Sequence, residues 1–73
     1  MQRYPLPDGR TLLVHGHTDD GYWELELEED ADAVIVGKPL ASTLAELLGY
    51  QVALEEWPGW IEDLATSVEA DNT

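Results

Sequence analysis

Residues 22–28 read YWELELE, and their strict alternation places Trp23, Leu25 and Leu27 on one face of an extended strand, with Tyr22, Glu24, Glu26 and Glu28 on the other. A helix would scatter the same residues around its circumference. One face of this strand seeks a core and the other seeks water, which is the pattern of an antiparallel sheet covered on one side only.

Working toward the N-terminus, QRYPLPDGRTLLVHG (2–16) reads as strand, turn, strand. Pro7-Asp8-Gly9 supplies in turn order a fixed φ, a local side-chain acceptor and a permissive residue. Pro5 lacks an N–H to give a neighbour, so the first strand belongs at a sheet edge. A second turn, His17 to Gly21, leads into the alternating strand. Toward the C-terminus, Glu29 to Asp32 reads as a connection, and AVIV at 33–36 as a fourth strand because three of its residues are β-branched. A short helix capped by Asp30 and stopped by Gly37 is the other reading of that stretch. Pro39 suits a first helical turn, after which Leu40, Leu44, Leu47 and Leu48 recur at helical spacing until Gly49 stops the helix. Residues 50–57 have no clear period. Pro58 starts a second helix in which Trp57, Trp60, Ile61, Leu64, Ala65 and Val68 share one face. The expectation is an α+β fold, a three- or four-stranded antiparallel sheet with two C-terminal helices packed on one face. It forms a single small domain over 1–73, β-rich over 1–37 and helical over 38–70, with a tail at 71–73.

Charge is the outlying property. The 73 residues include 16 acids and three cations, for a net charge of −13, and no cysteine. No disulfide framework and no thiolate metal site can form. The longest apolar runs are about five or six residues, too short to span a bilayer, and the N-terminus lacks a basic and then apolar leader, so a cytoplasmic location is expected. The negative field repels nucleic acid and anionic lipid and attracts basic surfaces. Neither direct nucleic-acid binding nor a membrane partner is therefore expected.

One string carries residues of catalytic type. VHGHTDDG (14–21) resembles the HxHxDH metal-binding motif of the metallo-β-lactamase superfamily, in which such residues follow a strand and hold a metal that activates water. His15, His17 and Asp19 match, and Asp20 stands where the motif has its last histidine. The resemblance covers eight residues, and no further His or Cys is present to complete a ligand set. On a regular strand His15 and His17 would share a face about 6.8 Å apart, but the reading favoured is a solvated histidine turn. Ser42 and Ser67 fall within helices and lack a placed base. Lys38 reads as a loop residue. The expectation is a protein that is not an enzyme, with no catalytic residue, no metal and no cofactor.

The acids themselves are the candidate site. Asp19, Asp20, Glu24, Glu26, Glu28, Glu29, Asp30 and Asp32 are eight acids in 14 residues with no cation among them, and no Lys or Arg follows Lys38. Like charges this close cost stability in a small domain, so local stability does not account for them. Carboxylates on a rigid strand can enter Arg and Lys sites that otherwise hold phosphates. That chemistry points to a binding module for a basic protein surface, such as that of a nucleic-acid-binding protein: an inhibitor, an immunity factor or a nucleic-acid mimic, of the general character of small acidic phage proteins. Trp57 and Trp60 of WPGW are core residues in the simplest reading and a secondary contact in the other. A structural homodimer and a surface adapted to high salt are the competing readings.

Overall fold

The computed structural model describes residues 1–72, the side chain of Ala31 excepted. Four strands, β1 (Gln2–Pro5), β2 (Thr11–His17), β3 (Trp23–Leu27) and β4 (Asp30–Gly37), are followed by α1 (Leu40–Leu48), a 3-10 turn at Leu54–Glu56 and α2 (Gly59–Asp71). The strands form one antiparallel sheet in the order β1-β2-β3-β4, so each pairs with its neighbour in sequence. Trp23, Leu25 and Leu27 are buried with Leu12 and Val14 of β2, and they form one apolar cluster with Leu40, Leu44 and Leu48 of α1 and Ile61, Ala65 and Val68 of α2. The α+β class and the four-stranded sheet follow the alternation and helical spacing described above.

Residues 33–36 are strand, as their β-branched run indicated, and not the alternative short helix. Several details differ from the sequence reading. The connection before that strand is only the two-residue turn Glu28–Glu29, with β4 starting at Asp30. The β3–β4 register slips at that end, where Glu26 faces Val34 but Leu27 faces Asp30. Pro39 lies one residue outside α1, at its N-cap, and Gly49 ends the helix at φ 91°. Leu64 is only half-buried, whereas Ile61 and Val68 are fully enclosed.

The helix also continues past Ala70, to Asp71, because its end is tied to β1. The Tyr4 hydroxyl donates to the Asp71 carboxylate, and Asn72 Nδ2 donates to Gln2 Oε1 at 2.7 Å and to the Val68 carbonyl at 2.8 Å. Thr73, the last residue of the expected tail, lies outside the described residues. An acid at a helix C-terminus opposes the macrodipole, yet Asp71 has a use there that its place in the sequence does not reveal. Burial first, then the hydrogen bond to Asp71 and its charge, push the Tyr4 phenol up to about 12. A phenol raised above its unfolded value near 10 stabilises the fold fully below that pH and ceases to as pH rises through the folded value. Thermal midpoints measured from pH 8 upward should therefore fall above about pH 10 more steeply in the parent than in Tyr4→Phe; parallel curves would deny Tyr4 that role.

Gly37 sets how closely α1 approaches the sheet. A Cβ at that position would lie 2.9 Å from Thr43 Oγ1 and 3.4 Å from Thr43 Cγ2. Thr43 cannot easily yield, because it is buried and its hydroxyl donates to the Pro39 carbonyl at 2.8 Å. Gly37→Ala should cost about 1–3 kcal/mol, the usual range for overpacking. Thr43→Ala in the same chain should recover part of that loss in a denaturant titration. Additive losses would place the strain elsewhere.

Candidate functional site

Trp23, Leu25 and Leu27 join residues of α1 and α2 in the apolar cluster, and the acids of β3 alternate onto the opposite face. Cross-strand partners share a face, so this outer face carries the row Arg3, Leu13, Glu26, Val34 and, beside it, Gly16, Glu24, Val36. Glu24 is 55% and Glu26 23% exposed in their side chains, while Val34 and Val36 are 51% and 56% exposed. The face is therefore two carboxylates set beside two uncovered valines of an edge strand.

Partners for the acidic stretch, absent from the stretch itself, are supplied by other strands. Arg3 of β1 reaches Glu28, with Nε–Oε2 at 3.0 Å, and His15 of β2 lies 2.9 Å from Glu26 and 3.8 Å from Glu24. Arg3 thus gives the carboxylate row a counter-charge and His15 gives it a hydrogen-bonding ring, because strand pairing brings residues 9 to 25 positions away alongside it. Arg10 is held by Asp8 and also donates to the Leu48 carbonyl, and this guanidinium bond holds the Asp8 carboxyl below its usual range. Lys38 Nζ donates to the Asp20 carbonyl at 3.1 Å and sits 4.5 Å from the Tyr22 ring centroid. All three Lys and Arg side chains are engaged.

The eight acids do not form one patch. Asp19 and Asp20 occupy the turn after β2, Glu24 and Glu26 the outer face, Glu28 and Glu29 the opposite turn, and Asp30 and Asp32 the start of β4. The two turns are separated by the length of β3, roughly 17 Å for five residues. Some of the eight serve the fold. Glu29 Oε2 accepts the Thr11 backbone N–H at 2.9 Å, which holds its carboxyl below the usual range, and Asp30 accepts the Asp32 N–H at 3.1 Å. Among the described residues no cation lies within ion-pair distance of Asp19, Asp20, Asp30 or Asp32.

The two histidines do not share a face. Between Val14 and Gly16 the β2–β3 register shifts by one residue, with Val14 facing Leu25 and Gly16 facing Glu24. This bulge depends on glycine, since Gly16 has φ 141°. Beyond it the alternation reverses, so His17 pairs with the buried Trp23, its ring centroid 4.5 Å from that indole, while His15 points to the outer carboxylates. Among the described residues no group of three His, Asp or Glu side chains is arranged to hold a metal ion. A glycine between two strand-like residues was the signal in the sequence for this bulge. An open depression of about 260 Å³ lies at this end of the face, and His15, His17, Tyr22, Glu24 and Val36 are among the residues that line it.

Trp57 and Trp60 are half-buried and pack against the core. Trp60 meets Tyr50 edge-on at 6.3 Å, and Trp57 Nε1 donates to the Val52 carbonyl at 3.2 Å. They anchor the loop that joins the helices, whose Val52 and Leu54 are exposed. Compared with family models, curated proteins and solved structures, the chain finds no match.

Proposed function

We propose that this chain is a small acidic binding module that presents the outer face of its sheet to a basic site on a partner protein, acting as an inhibitor, immunity factor or nucleic-acid mimic. The observation that carries the reading is the composition of the face opposite the apolar cluster: Glu24 and Glu26 stand beside exposed Val34 and Val36, Arg3, the one Arg or Lys in the cross-strand rows of that face, is engaged by Glu28, and Arg10 and Lys38 are engaged elsewhere. Carboxylates beside apolar side chains offer a guanidinium a charged partner for its head and a dry surface for its stem. Glu24, the more exposed of the two and the farther from His15, is the first carboxylate such a group would meet. Asp19 and Asp20 at one end and Asp30 and Asp32 at the other carry the negative field past the face and favour fast encounter with a basic surface.

The test is capture from a lysate of the source organism at low salt, with elution on a salt gradient, by the parent and by the chain carrying Glu24→Gln and Glu26→Gln. A discrete basic protein held by the parent and lost by the variant supports the reading. Equal retention by both removes the outer face from the site.

A further inference from the structure

We propose that two copies of the chain pair through the free edge of β4, antiparallel about a two-fold axis at Ile35, to form one continuous eight-stranded sheet. The two edges of the sheet are unlike. β1 has four residues and is blunted by Pro5 and by the charged Arg3, both recognised ways of discouraging strand addition. β4 has eight residues without proline or lysine, and its backbone ladder runs to β3 alone. From Val34 to Gly37 it pairs with β3 in unbroken register, so that stretch presents a regular edge.

Charge selects the occupant. Two chains of net charge −13 repel, and they can approach only where acids are absent. Residues 33–45 are the longest stretch of the sequence without Asp or Glu, and they comprise the regular half of β4 and most of α1. Symmetry then selects the register. Paired residues must share a face, so a two-fold axis between identical antiparallel strands passes through a residue position. Centred on Ile35, the pairing sets Val34 opposite Val36 of the second copy, Ala33 opposite Gly37, and Asp32 opposite Lys38. Every apolar residue meets an apolar one or glycine, and an Asp with no ion pair of its own meets the chain's only lysine, at both ends. Moving the axis to Val34 would set Asp32 against Val36, and moving it to Val36 would set Lys38 against Val34. Of these three registers, only the one centred on Ile35 gives both exposed valines, Val34 and Val36, an apolar partner at once. This pairing uses the strand edge and does not depend on the carboxylate face having a basic partner.

Sedimentation velocity over a concentration series reads the dimer directly. Raising salt from low to about 0.5 M should tighten it about tenfold by screening the repulsion of two acidic chains. Lys38→Glu should weaken it about tenfold or more, and Asp32→Lys in the same chain should restore it. Circular dichroism would confirm that each variant remains folded, since Lys38 also sits over Tyr22. The register is read separately with Val34→Cys and Val36→Cys, in a parent without cysteine. Oxidised together they should give the mixed disulfide. Oxidised alone, each stays single, because identical positions are offset by two residues and their Cα atoms lie roughly 8 Å apart. A monomer at all concentrations up to about 1 mM, or single-variant disulfides forming as readily as mixed ones, would overturn the proposal. Loss of the basic partner in the capture experiment would leave both readouts unchanged.

Discussion

Truncating Leu25 or Leu44 to alanine is expected to lower the thermal midpoint by about 10–40 °C or to abolish the cooperative transition. Leu25 lies at the centre of β3 and Leu44 in the middle of α1, both at 0% exposure, and they meet in the cluster that joins sheet to helices. Removing a buried leucine side chain costs about 2–5 kcal/mol, from lost transfer energy and the cavity left behind. A chain of this size is expected to hold only about 4–11 kcal/mol in total. Ile61→Ala should behave alike, since that residue is equally enclosed. Leu64→Ala, at a half-buried position, should cost less, and Leu54→Ala, 57% exposed, almost nothing. Melting curves followed by circular dichroism rank the five residues, and a Leu44→Ala midpoint close to the parent's would show that the core does not unite sheet and helices as described.

The second large effect concerns binding. Replacing Glu24 and Glu26 together by glutamine keeps the strand's alternation and removes two negative charges from the outer face. Stability should change by no more than about 0.5 kcal/mol, since the lost contacts to His15 are at the surface and repulsion within the face is relieved. Affinity for a basic partner should fall far more. Each charge-assisted contact is typically worth about 1.5–3 kcal/mol, so two correspond to a drop of roughly 10²- to 10⁴-fold. Part of the loss should appear in the association rate, with a shallower dependence on salt. Adaptation to high salt predicts differently: the parent would unfold without molar salt, and the variant would lose no partner. A parent folded at low salt, with a variant that binds as tightly as the parent, would turn attention to the exposed loop beside Trp57.

The candidate site was legible in part. Alternation alone identified Glu24 and Glu26 as solvent-facing, because a strand's two-residue period leaves those side chains no other direction once Trp23, Leu25 and Leu27 turn inward. The identity of their neighbours was not legible. Arg3 and His15 are remote in sequence and become partners of these carboxylates only when β1 and β2 fold alongside β3. The separation of His15 from His17 depends on a one-residue bulge, which reverses every side chain beyond it. Asp71, which reads as an unfavourable helix-terminal acid, holds Tyr4 across 67 positions. The octet of acids is contiguous in sequence but divided in space, since a hairpin carries its turns to opposite ends of the sheet.

What the sequence by itself determined is periodic: the two-residue alternation of β3, the turn chemistry of Pro7-Asp8-Gly9, the helical recurrence of Leu40, Leu44 and Leu48 up to Gly49, and a negative charge that no arrangement of three cations could neutralise. Those properties are local or additive, so they survive without knowledge of contacts. Pro5 already marked β1 as an edge strand; tertiary structure decided where the register slips, which acids meet a cation and which stay free, and how completely each leucine is enclosed. Each of these depends on pairs of residues far apart in the chain, and a pair has no period from which it can be read.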